Sequence, residues 1–269
     1  MKLRALALGT LRSFFHSRLV VVLLVIGLLG VLVGMVPLLG VRAMHSAQNA
    51  AQMQSVVLSV VAEIMDFISG FGSLLAAWAA ADAVSSEMSS GTILAVMARP
   101  VKRWEFLLGK FSGVMLLMSA YVVMMVSLSF LLAAIGGQSL VHTNLWALVL
   151  YPLVRYAHWA ALAMALVTLM RPIAAMGIIV MFFLLIQMAA SKGFASEYKS
   201  VRLLLDGIGW VLPLTGLLSE TRFLEITHAS LKQTSWLEHL TTISYGLDYA
   251  LVCLLLAMWS FHYRSLKRD

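Results

Sequence analysis

Glu63 and Asp66 stand one helical turn apart inside an apolar run, on a stripe with Ser59, Gly70 and Ser73, and a second apolar run carries Tyr151, Arg155 and His158 on one face. Ionisable groups spaced in this way can pair, relay protons or line a polar route. Counted from the outer ends of their runs, Glu63 and Asp66 lie about 9 to 12 residues deep and Arg155 about 10, near the middle of a bilayer-spanning helix. An uncompensated charge there costs at least about 2.5 kcal/mol, so such groups pair or face water. The arrangement predicts an ion pair of Arg155 with Asp66 or Glu63. That pair is either a polar patch or gate on a translocation route, or a clamp between two helices, and the clamp is the simpler reading.

No catalytic constellation accompanies these residues. A phosphate-cradling P-loop needs a Gly-rich turn followed by Lys and Ser or Thr. Gly109-Lys110, the one Gly-Lys pair, lacks the upstream glycine and the hydroxyl. H-E-x-x-H and G-x-S-x-G are also absent. The lone Cys253 rules out a disulfide within the chain and any Cys-based metal site. Seventeen methionines, with Met115, Met118, Met124 and Met125 clustered, raise Cu(I) transport. Methionine also fills irregular helix interfaces, and His142 and His158 share no ligand spacing with the cluster, so no metal site is expected.

These residues sit in a chain made mostly of apolar segments. Of 269 residues 61% are hydrophobic and 12% charged, with mean hydropathy +0.94, against about 25% charged in soluble domains. The chain reads as an integral membrane protein. Its net charge of +7 comes largely from Lys and Arg flanking apolar runs, where lipid headgroups and topology explain them, so no nucleic-acid partner is expected. Residues 1–18 mix Lys2, Arg4, Arg12 and Arg18 with leucines and phenylalanines, which suits a basic helix in the membrane interface. Spans follow at about 19–40, 54–84, 106–135, 145–170, 173–190 and 244–262, each near the length that crosses the hydrocarbon core. The first is too long for a signal-peptide core and reads as a retained span.

With the N-terminus inside, the inner segments hold Lys2, Arg4, Arg12, Arg18, Arg99, Lys102, Arg103, Lys110, Arg171, Arg264, Lys267 and Arg268, while the short outer loops hold Arg42 alone. Both termini are therefore expected in the cytoplasm, and 191–243 outside. Within that segment 201–220 is apolar but interrupted by Asp206, Gly207, Gly209 and Pro213, as in a pair of short helices dipping back into the membrane. Gly27, Gly30 and Gly34 form a small-residue edge on the first span, suited to close packing on a neighbouring span or a second copy.

The longest polar insertion on the inner side is "SSEMSSGTILAVMARPVKRWEFLLGK", residues 85–110. Ser89, Ser90 and Thr92 offer N-cap oxygens, Glu87 puts negative charge near a helix start, and Pro100 stops the run. Between them Ile93, Leu94, Val96 and Met97 are presented from about two turns. Such a helix either inserts into a groove on a soluble partner or rests on lipid.

Asp82, "SSEMSSGT" and "ARPVKRWEFLLGK" together resemble the signature stretch of the ABC type-2 transporter permease family, the membrane subunits of many bacterial exporters. The likeness is close over this stretch and looser over the rest of the chain. It implies an all-α integral membrane fold of six transmembrane helices. An N-terminal interfacial (elbow) helix, a cytoplasmic coupling helix between spans 2 and 3, and short re-entrant-like helices between spans 5 and 6 complete the plan, in one permease domain over 1–269. By position Glu87, Gly91, Thr92, Arg99 and Pro100 would shape the coupling helix at 85–105. Leu94 and Met97 would dock on an ATPase subunit, and Lys102, Arg103 and Lys110 would fix the entry to the third span.

The resemblance further implies two copies of an ATP-binding subunit, which hold the ATP and Mg that this chain has no motif to bind. It implies a second permease copy or sibling as partner, a multi-pass location in the bacterial inner membrane, and room for an extracytoplasmic accessory protein. The expected cargo is hydrophobic or amphipathic. Two other classes compete: an ion-gradient-driven transporter using Glu63, Asp66 and Arg155, and a membrane subunit that transmits force without transporting.

Overall fold

A computed structural model describes residues 2–16, 22, 25, 27–30, 32, 50–90, 102–135, 145–190 and 236–263. Regular structure among them is helical throughout, with no strand. The elements are α1 (Lys2–His16), α2 (Ala50–Ser90), α3 (Arg103–Ile135), α4 (Leu145–Leu169), α5 (Pro172–Ala190) and α6 (Trp236–Tyr263). Residues 22, 25, 27–30 and 32, within the expected first span, are also helical.

Among the described residues four stretches are long and apolar enough to cross a membrane: Phe67–Met88, Arg103–Leu128, Val149–Leu169 and His239–Tyr263. A shorter apolar stretch covers Pro172–Leu185 of α5. Of the two remaining expected structures, the first span is described only at the residues given above, and the re-entrant segment at 201–220 lies outside the described residues.

α2 runs to Ser90, past the boundary near Val84 that polarity suggested. Its 41 residues make a rod of about 60 Å, roughly twice the hydrocarbon thickness, so part of it stands clear of the bilayer. Ser85, Ser86 and Glu87 mark where the helix leaves the oil rather than where it ends. Ser89 and Ser90 are thus the last described residues of α2, and whether they cap a following helix lies outside the described residues. α4 gives way to α5 across Met170 and Arg171, where Pro172 takes the first helical position and its missing N–H costs nothing.

α2 and α4 form the centre. Of their apolar stretches 72% and 78% are buried within the chain, against 39% for α3 and 22% for α6. Small side chains permit this: Ala76, Ala77, Ala79, Ala80 and Ala83 on α2 and Ala160, Ala161 and Ala163 on α4 are buried. Where larger groups meet, glycine makes the room. A Cβ on Gly72 of α2 would come within 2.8 Å of the Tyr121 ring of α3 and collide with the Tyr156 hydroxyl of α4.

α1 is seated against α3 by the same device, burying Ala7, Thr10 and Phe14. Gly109 and Gly113 of α3 meet Leu6 and Thr10, with a notional Cβ 2.6 Å from each of those Cβ atoms. This is a small-xxx-small seam. Gly27 and Gly30 pack on Phe71 and Phe67 of α2, so that small-residue edge is used within the chain; Gly34 lies outside the described residues. Replacing Gly113 with Val should overpack the α1–α3 seam by about 1–3 kcal/mol and lower the thermal midpoint of the purified chain. Gly9→Ala, where nothing lies within 4 Å, should not lower that midpoint and should raise it slightly through helix propensity.

Candidate functional site

Two polar constellations stand out in this apolar bundle. The first gathers at the end where α2 stops and α3 begins. Glu87, in the last turns of α2, forms an ion pair with Lys110 of α3. The lysine is 6% exposed, and its ammonium lies 5.6 Å from the centroid of Phe106. Burial makes the pair mutually obligatory, because a lone charge withdrawn from water is far more costly than a matched one.

One turn before Lys110, Phe106 stacks on Phe261 of α6 with centroids 5.9 Å apart. Arg103 closes the junction: its Nη1 donates to the carbonyls of Phe261 at 2.9 Å and His262 at 2.7 Å. These are among the last described carbonyls of α6, near the negative end of its dipole. The start of α3 is itself capped, with the Lys102 N–H donating to Glu105 Oε2 at 2.9 Å, as in half of a capping box. α4 joins the group where Ser260 Oγ donates to the Thr168 carbonyl at 3.0 Å. The ends of α2, α3, α4 and α6 are thus fastened to one another on either side of residues 91–101.

The second constellation lies deep among the spans. Arg155 of α4 is 7% exposed, and its Nη1 donates to Ser69 Oγ of α2 at 2.7 Å. The Ile68 carbonyl accepts from Tyr121 at 3.2 Å and from Tyr156 at 3.4 Å, tying α2, α3 and α4 at one level. His158 is fully buried, stacked with Trp159 and 5.4 Å from the Tyr249 ring of α6. One turn before Arg155, Tyr151 shares a 2.5 Å hydrogen bond with His239 Nδ1 of α6. Pro152 between them leaves the Leu148 carbonyl without its usual helical donor.

Of the residues that the 85–110 stretch singled out, Glu87 and Arg103 are engaged within the chain, and Gly91, Thr92, Leu94, Met97, Arg99 and Pro100 lie outside the described residues. Glu63 and Asp66 are on α2, but their side chains are outside that description, so the expected pair with Arg155 stays an expectation. Ser69 as the arginine's partner was not anticipated, although it falls one turn after Asp66 on the same stripe. Lys110 inside an apolar run was the available signal for a buried pair, and its partner is 23 residues away in sequence. Among the described residues no group of three or more His, Cys, Asp or Glu is placed to hold a metal.

Long apolar helices packed through glycine and alanine define a multi-pass α-helical membrane protein. The family model for ABC-2 family transporter proteins matches residues 5–266, nearly the whole chain, and the chain belongs to that family. It is therefore a permease, the membrane subunit of an ABC transporter, rather than an enzyme. No curated protein matches it.

Removing one partner of a buried ion pair strands the other. Lys110→Met should destabilise the purified chain by about 2 kcal/mol, between the values typical of exposed and fully buried pairs. The double variant Glu87→Gln, Lys110→Met should recover most of that loss in thermal or denaturant unfolding.

Proposed function

We propose that this chain is the permease half of an ABC exporter, working as a pair with a second copy or a sibling. A separate ATPase subunit docks on the coupling region at 85–105, chiefly through 91–101, and carries the ATP and Mg. Export of a hydrophobic or amphipathic cargo across a bacterial inner membrane fits a bundle whose polar groups are few and whose exposed faces are apolar. In this reading α1 is the elbow helix, both termini are cytoplasmic, and the clamped end of the bundle faces the cytoplasm.

The observation that carries the proposal is the fastening on both sides of the docking segment. Glu87 holds the end of α2 to Lys110 of α3, while Arg103 holds the start of α3 to the last described carbonyls of α6. A segment between two free helix ends would absorb a push by bending. Between clamped ends, a displacement of 91–101 by closing ATPase subunits passes to α2, α3 and α6 together. Coupling then needs no long-range pathway, since it travels along rigid helices already tied at the point of force. Leu94 and Met97 supply the apolar anchors of the docking surface, a helix-in-groove mode of recognition.

Pull-down of the tagged chain from native membranes in mild detergent, with ATPase assayed on the eluate, tests the reading. An ATP-binding subunit and its activity should accompany the wild type. Both should be lost from a Leu94→Asp, Met97→Asp variant that elutes as a folded monodisperse chain. An eluate without ATPase from the wild type would refute the docking assignment.

A further inference from the structure

Arg155 and His158 lie one turn apart on α4. Arg155 is 7% exposed and His158 0%. The guanidinium gives one Nη1 hydrogen to Ser69, but among the described residues its Nε has no hydrogen-bond partner, and neither has either imidazole nitrogen. Buried polar groups are nearly always satisfied by protein, water or ligand, and the requirement is stricter in hydrocarbon, which can offer nothing in exchange. A buried guanidinium with an unused donor, and one turn on a buried imidazole with both nitrogens unused, are therefore arranged for a group outside the described residues.

The surroundings limit what that group is. Ser73 turns its hydroxyl to the Ser69 carbonyl at 2.8 Å, leaving Ser69 Oγ to orient the guanidinium. Small residues, among them Ala157, Ala161 and Cys253, pack where α4 meets α6. A cation is repelled by Arg155, and a purely apolar guest leaves every donor unmet. An oxyanion matches the planar fork of an arginine and forms charge-assisted bonds with it. A phosphate monoester, with both acceptor oxygens and a hydroxyl, also suits both nitrogens of the imidazole.

We propose that Arg155 and His158, with Ser69 as positioning residue, form an intramembrane subsite for the oxyanion headgroup of an anionic amphiphile. This rests on the transporter reading above and narrows its cargo from amphipathic to acidic amphipathic. The competing occupant is a carboxylate of the chain itself, Asp66 or Glu63, and the experiment separates the two.

The probe is radiolabelled dodecyl phosphate, bound at equilibrium to the full chain in phosphatidylcholine nanodiscs. Binding should saturate and be displaced by unlabelled dodecyl phosphate, but not by dodecyl maltoside or dodecyltrimethylammonium. Arg155→Gln should weaken it about tenfold, the loss of one charge-assisted hydrogen bond, with His158→Phe weakening it less. Should Arg155→Gln fail to fold, Ser69→Ala and the competition series on the wild type give the same answer. Equal displacement by the maltoside overturns the proposal, as does unchanged affinity in a folded Arg155→Gln; the latter leaves Arg155 to a carboxylate of its own chain. Because binding requires no ATPase, a failure here is distinct from loss of the docked subunit in the pull-down.

Discussion

An ion pair between Glu87 and Lys110 ties α2 to α3. Residues 91–101, which separate the two helices in sequence, lie outside the described residues. The buried ammonium keeps the pair closed, since separating it from its carboxylate would leave a charge among Phe106 and its neighbours. Arg103 extends the constraint to α6 by bonding the Phe261 and His262 carbonyls, and Phe106 stacks on Phe261.

Packing above this junction depends on the absence of side chains. Gly72 admits two tyrosines, Gly109 and Gly113 admit α1, and alanines along α2 and α4 bring those helices close. In lipid there is little hydrophobic gain from helix association, so close van der Waals contact and hydrogen bonds between helices carry it. The Ile68 carbonyl shared by Tyr121 and Tyr156 and the Arg155–Ser69 bond provide such bonds at one depth, and Tyr151 with His239 provides another. α6, only 22% buried along its apolar stretch, lies along α4 through Ala250, Cys253 and Tyr249 and is fastened by hydrogen bonds near both ends.

Much of this was legible in the residues. Apolar run lengths located the helices because the bilayer imposes a minimum length, and the polar stretch at 85–110 marked the family. The span end expected near Val84 is not the end of the helix, which continues to Ser90, because polarity reports where a helix enters water and not where its backbone hydrogen bonds stop. Arg103 read as a flanking charge because nothing local shows that the last turn of α6 lies beside it. Gly109 read as half of a failed phosphate motif, when its spacing to Gly113 was the informative feature. Ser69 was hidden by its own neutrality: hydropathy weighs a serine lightly, yet it is the described partner of the buried arginine.

The central claim is that the ends of α2, α3 and α6 move as one body when nucleotide binds the docked subunit. Spin labels at the exposed positions Ser86, Trp104 and His262, in a chain with Cys253 replaced by Ala, would report the three distances by pulsed electron paramagnetic resonance. The measurement is made on the permease–ATPase complex with and without ATP. The account predicts that the three distances keep their values and widths while the distance from Ser86 to its counterpart in the second permease changes. A nucleotide-dependent change in the Ser86–Trp104 or Trp104–His262 distance would contradict it.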